Sequence, residues 1–441
     1  MFNRTIVCVF GAGLLAGAVF AAEPQIQPGE NPNPVHLVRR PAAPLSAMAR
    51  LGKDIFFDTG LSSSGKLACA SCHSPDHAYG PPNDGPVMLG GPTLTLPGAR
   101  AVPSLTYLDR QSDFSIGPDD KQNETVTLAQ MAAIGQTAER AQKTATQSAQ
   151  SAANIVPQGG LFWDGRADTL QIQASGPLLD PREMDGGSIE IVAEKLRNAT
   201  YAKKFLGLFG EGIFTNANLL VAEATFAIGR YQIEEPSFHP YTSKFDYWLE
   251  GKARLSESEM RGYRLFNDQD KANCAGCHSS QVSREGQPPL FTDTQYEALA
   301  APRNPALADT RDPGYFDLGV CGPIRKDIAD QTQFCGMFKT PTLRNTARRH
   351  AFFHNGVFQT LQQVMDFYNF RDTNPEKVYP LGADGKVEKY NDIPVQYHGN
   401  VDVSDPPLNH HPGDVPAMTA QDETDIIAYL QTLDDGYPPE K

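Results

Sequence analysis

The chain has 441 residues, with 52 acidic against 38 basic side chains and a formal net charge of −14. That balance argues against nucleic acid or an anionic membrane surface as a partner and suits one with a basic docking patch. A chain of this length exceeds one hydrophobic core, so two domains are expected.

Taken from the start, residues 1–22 read as an export signal. Arg4 precedes an apolar run from Ile6 to Phe20, and Ala21 and Ala22 offer a cleavage site. The run is too short for a spanning helix, and no later stretch qualifies. Cys8 lies inside it without a lipobox context. The expected location is the periplasm, with no membrane span after signal removal.

Leu45 to Phe57 has helical periodicity and leads through a Gly-Ser turn into Cys69-Ala-Ser-Cys72-His73. Leu255 to Phe266 leads likewise into Cys274-Ala-Gly-Cys277-His278. C-x-x-C-H is the attachment signal of a c-type haem. Two thiols one turn apart can form thioethers with the two vinyl groups of one haem, and the adjacent His supplies the proximal iron ligand. The cofactors implied are two covalently bound haem c groups, on Cys69, Cys72 and His73 and on Cys274, Cys277 and His278. Zinc knuckles or redox dithiols are the alternative, disfavoured because both copies carry the His and the chain is exported.

Between the motifs, Asp109 to Val156 is rich in Gln, Thr, Ala and Ser and reads as an insertion. Its middle has the pattern of a polar helix; a surface excursion is favoured over a partner-docking element. Further on, Cys321 and Cys335 are expected to pair in an oxidising compartment, stabilising the fold by about 3 kcal/mol; two buried thiols are the alternative. Asn369 to Pro416 reads as an added loop whose His398, His410 and His411 are surface residues. Asp425 to Leu433 lies in a final helix. Strand-like alternation is scarce, and 35 prolines with 38 glycines point to long ordered loops. The fold class is therefore mainly α. Two cytochrome-c-like haem domains are expected, at 23–235 (with the insertion at 109–156) and 236–441.

Several stretches carry a family resemblance. They are Phe162-Trp163-Asp164-Gly165-Arg166, Gln173-Ala174, Pro181-Arg182-Glu183-Met184, Ser243-Lys244-Phe245-Asp246, Pro341-Thr342-Leu343-Arg344-Asn345 and Phe353-His354-Asn355-Gly356. In their order around the two haem motifs they resemble the bacterial di-haem cytochrome c peroxidase family, which includes MauG. The resemblance runs from about Pro44 to Leu433.

It implies that the first haem is peroxidatic, with Glu183 as the acid–base group above the iron. Gln173 and Phe162 would line the same pocket, and Trp163 would relay oxidising equivalents to the second haem. In the branch that must first be reduced, a loop His blocks the first iron; the matching position here is Leu89. His77 lies too close to His73 in sequence to reach the distal face, so an open first haem is expected. For the second haem the family's sixth ligand falls on Tyr368, as in MauG-like proteins, with Met365 as runner-up. A phenolate favours high oxidation states, whereas a thioether favours ferrous iron. The family also has an inter-haem Ca²⁺. This chain has Ala101 where an Asn is usual, which leaves two expectations open: one Ca²⁺ held by backbone carbonyls near Arg349 and Ala351 plus water, or loss of the ion compensated by the 109–156 insertion.

The resulting expectation is an H₂O₂-dependent di-haem oxidoreductase of MauG-like type, acting on a small redox protein or a protein substrate. A conventional cytochrome c peroxidase and a non-catalytic di-haem carrier or sensor are the alternatives.

Overall fold

The computed structural model describes residues 27–118 and 155–438. Residues 1–22, read as an export signal, and most of the polar helix expected in the insertion lie outside the described residues. In chain order the helices are α1 (Ala47–Phe56), the one-turn α2 (Cys69–Cys72), α3 (Leu170–Leu179), α4 (Ile189–Asn198), α5 (Ala202–Phe209), α6 (Ala217–Glu234), α7 (Lys244–Leu249), α8 (Glu257–Phe266), α9 (Leu361–Phe370) and α10 (Ala420–Gln431). Among the described residues, short antiparallel pairs join β1 (Leu89–Gly90) to β2 (Leu96–Pro97), β3 (Ser115–Pro118) to β4 (Ile155–Gln158), and β5 (Tyr296–Glu297) to β6 (Phe338–Lys339). The fold is mainly α, with long ordered loops. Among the described residues no helix is long and apolar enough to cross a membrane.

Capping explains where the two helices that precede the haem motifs begin. Ser46 accepts a hydrogen bond from the Ala49 N–H, and Ser256 forms a capping box with Glu259. Both helices therefore start two residues inside the bounds that periodicity alone suggests.

Among the described residues two large hydrophobic cores result, with smaller clusters around Leu170 and Val320. The first gathers Leu51, Ile55 and Phe56 of α1, Val192 and Leu196 of α4, and Ala224 and Ile228 of α6. The second gathers Phe245 of α7, Phe266 of α8, and Ile426, Tyr429 and Leu430 of α10. Each is organised by one helix crossing at a glycine. A Cβ on Gly52 would lie 1.8 Å from the Ala227 carbonyl oxygen, and one on Gly262 would lie 1.9 Å from that of Asp425. Four residues beyond each glycine stands a fully buried phenylalanine, Phe56 or Phe266. The two helices that precede the haem motifs thus share one packing device.

The N-terminal strap departs from the expected grouping. Leu37 belongs to the second core, Val35 N–H donates to Leu249 O (2.8 Å) and Val38 N–H to Gly286 O (2.8 Å). Trp248 is buried and donates from Nε1 to Gly29 O at 3.0 Å. Cys321 and Cys335 form a disulfide.

Two of the family motifs meet inside the second half. Arg344 donates to both carboxylate oxygens of Asp246 at 2.9 and 2.8 Å, and neither side chain is exposed. Removing one partner of so buried a pair would cost about 3–5 kcal/mol. Arg344 also donates from Nε to Pro289 O (2.7 Å), which steadies the segment next to the second haem motif.

Candidate haem sites

Each C-x-x-C-H motif presents its imidazole in the same way. His73 Nδ1 lies 3.1 Å from Tyr79 O, and His278 Nδ1 lies 2.8 Å from Phe291 O. A carbonyl can only accept, so Nδ1 carries the proton and Nε2 keeps the lone pair that a metal needs. Burial pushes both imidazoles down to about 4, the neutral ligating form. The supporting carbonyls are themselves fixed. The Tyr79 ring stacks on Phe238 at 3.6 Å, and Phe291 is fully buried.

A cavity of about 300 Å³ opens beside the second motif. Cys274, Cys277 and His278 line it, as do Tyr368 and Met365 from α9, and it reaches Trp163 and Gln173. The pKa of Tyr368 is raised, first by burial and then by the Cys277 and Cys274 thiols, so the phenol stands close to the haem-attachment cysteines. Apolar walls, two thiols and an oriented imidazole fit a covalently held haem.

The 369–416 segment, read as an added loop, also builds this wall: Asp402, Pro406 and Leu408 line the cavity. Fully buried Arg371 holds it in place by donating to Leu299 O (3.1 Å) and Asp402 O (2.5 Å). Its histidines stay outside the site. His398 Nε2 is 3.0 Å from Ile393 O, and exposed His411 lies beside Asp414.

At the first motif, α2 puts Cys69 and Cys72 one turn apart. Glu183 lies in the turn after α3, and its carboxyl is pushed up to about 7. Burial is the largest cause and Asp180 the next, opposed by Arg166 and Arg182. The Cys72 thiol is raised by burial and then by Glu183, which puts that carboxyl near the first haem motif. The β1–β2 hairpin seats against the Glu183 turn. Gly91 N–H donates to Glu183 O (2.8 Å), and a Cβ on Gly90 would lie 2.3 Å from Arg182 O. Leu89 of β1 is half exposed, and exposed His77 pairs with Ser74 of its own turn.

Trp163 is buried, and its Nε1 donates to Ala101 O at 2.8 Å. The loop carrying it is pinned across both halves. Arg100 donates to Asp164 (2.7 Å) and also to Asp317 through two 2.7 Å bonds. Arg100 and Asp317 belong to no local pattern, so sequence reading missed them.

The segment after Arg100 meets further groups from the second half. Ala101 N–H donates to His354 O (2.8 Å), and Arg349 donates to Val102 O (2.8 Å) and Ala351 O (3.3 Å). Burial pushes the Arg349 pKa down to about 10, so the guanidinium stays charged at neutral pH. These residues do not fit a calcium ion, because Ala101 supplies no side-chain oxygen and a cation already engages the neighbouring carbonyls.

Two such thiol–imidazole sites, linked by one indole-bearing loop, define a c-type di-haem redox protein. A family model described as di-haem cytochrome c peroxidase matches residues 46–254. The methylamine utilization protein MauG of Paracoccus denitrificans is 31% identical over 342 residues, covering 76% of this chain and 78% of that protein. The cytochrome c551 peroxidase of Nitrosomonas europaea is 29% identical, covering 83% and 84%. Among solved structures, the diheme peroxidase BthA of Burkholderia thailandensis E264 superposes with a TM-score of 0.73 at 33% identity, over 92% of this chain and 94% of BthA. The chain belongs to the di-haem cytochrome c peroxidase and MauG family, and it is a di-haem peroxidase-type oxidoreductase.

Proposed function

We propose that this chain is a periplasmic, MauG-like member of its family, built as two cytochrome-c-like domains at 23–235 and 236–441, with the strap around Leu37 packing on the second. Cys69, Cys72 and His73 would hold one haem c, and Cys274, Cys277 and His278 the other. The haems supply peroxide reduction and electron storage. Glu183 holds and returns a proton at its carboxyl, and Gln173 and Phe162 shape the pocket beside it. Tyr368 would help hold the second haem through its phenol oxygen, and Trp163 would carry electrons between the sites. The oxidising equivalents pass to a small redox protein or to an aromatic side chain of a protein substrate. Calcium has no part in this reading.

The observation that carries it is the Glu183 carboxyl, raised to about 7 beside the Cys72 thiol. A group poised there can both take and give a proton near neutral pH. A second reading, a conventional cytochrome c peroxidase, draws on Met365, which lines the same cavity as Tyr368.

Stopped-flow spectra of the as-isolated diferric protein with one equivalent of H₂O₂ separate the two. Rapid change at both haems without prior reduction supports the MauG-like reading. No reaction until one haem is reduced supports the conventional one.

A further inference from the structure

The buried guanidinia of Arg100, Arg344 and Arg371 each have a carboxylate beside them, whereas Arg349 is half-buried and lines the cavity. Arg100 has Asp164 and Asp317, Arg344 has Asp246, and Arg371 has Asp372. Arg349 differs. Among the described residues its hydrogen bonds go to two main-chain carbonyls, Val102 O and Ala351 O, and no carboxylate lies within ion-pair distance. A positive charge cradled by carbonyl oxygens is the environment of a hard cation.

The position of this charge gives it a role. Val102 sits between Ala101, whose carbonyl takes the Trp163 indole N–H, and Pro103, whose backbone faces the His73 ring. On the other side, Ala351 leads within two residues to Phe353, whose ring lies 4.8 Å from Phe367 and 6.2 Å from Tyr368. One guanidinium thus bridges the backbone that supports the first site to the backbone that supports the second. Ala101 withholds the oxygen a metal would need, and the five donors of a guanidinium can satisfy the carbonyls instead.

We propose that Arg349 is a built-in cation: its guanidinium replaces the inter-haem calcium and fixes one haem site against the other. Arg349 is a positioning residue and touches no reacting atom. The inference rests on the two-haem reading, but metal content and melting report on it whatever the protein does with peroxide.

The test uses the holoprotein. As isolated, it should contain no stoichiometric calcium, and a chelator should leave its melting temperature and the ferric EPR signals of both haems unchanged. Arg349→Ala should shift those signals and lower the melting temperature by roughly 2–4 °C. The double variant Ala101→Asn with Arg349→Ala should bind one calcium per chain and recover stability and signals when calcium is added. If Arg349→Ala yields no holoprotein, Arg349→Lys, which keeps the charge but loses the fork, should give the same shifts in smaller measure. One tightly bound calcium in the native protein would overturn the proposal, as would an Arg349→Ala variant with native melting and spectra. So would a double variant that takes up no calcium, the result expected if Arg349 merely pairs with a haem propionate.

Discussion

The two haem sites share their proximal half and differ in what faces it. Both turn an imidazole by giving its Nδ1–H to a backbone carbonyl, 3.1 Å away at His73 and 2.8 Å at His278. Near the first site stands a carboxyl whose pKa is raised to about 7; the second faces a buried phenol and a thioether on one helix. Attachment chemistry is therefore generic, and the opposite face divides the labour. In the proposed reading, one site handles protons and the other stores charge.

Glu183→Gln should break this contrast most severely. It keeps the shape but removes the proton carrier, so the rate of reaction with peroxide should fall by roughly 10²- to 10⁴-fold in stopped flow. The pH profile sharpens the point. The carboxylate form of Glu183 grows as pH rises through about 7, so the wild-type rate should climb there and the Gln variant should show no such step. Stability moves the other way. The folded state holds this proton more tightly than the unfolded chain, so its contribution is complete below about pH 4.5 and is lost as pH rises to about 7.

At the second site, Tyr368→Phe should change that haem's ferric EPR signal and leave the first haem's signal and its peroxide binding intact. If the spectrum stays native, Met365 is the ligand and the contrast collapses. A smaller effect concerns the staple that only the second half carries. Cys321→Ser with Cys335→Ser should lower unfolding free energy by about 3 kcal/mol in denaturant titrations. Trp163→Phe should cost the least stability, about 1 kcal/mol for the orphaned Ala101 carbonyl. It should also slow the spread of spectral change from the first haem to the second.

Much of this was legible in the chain. Helices α1, α8 and α10 follow from apolar periodicity, and the haem cysteines and histidines from strict spacing. Glu183 and Trp163 are candidates through motif resemblance, and their roles stay part of the proposed function. What escaped has a common cause. Arg349 works on carbonyls of Val102 and Ala351, and main-chain oxygens have no residue signature. Arg100 reaches Asp317 across 217 positions, a separation that no local pattern marks. The 369–416 segment looks like solvent-exposed loop by composition, yet buried Arg371 draws it onto the cavity.

The second core has a consequence for how the chain matures. It needs Leu37 from the N-terminal strap and Leu430 and Leu433 from the far end, whereas the first core is complete by Phe238. Under the proposed export, a chain emerging from a translocation pore would settle its first half early, while its second haem pocket would stay unsealed until the last helix is released. Haem attachment would then have a longer interval of access to Cys274 and Cys277 than to Cys69 and Cys72.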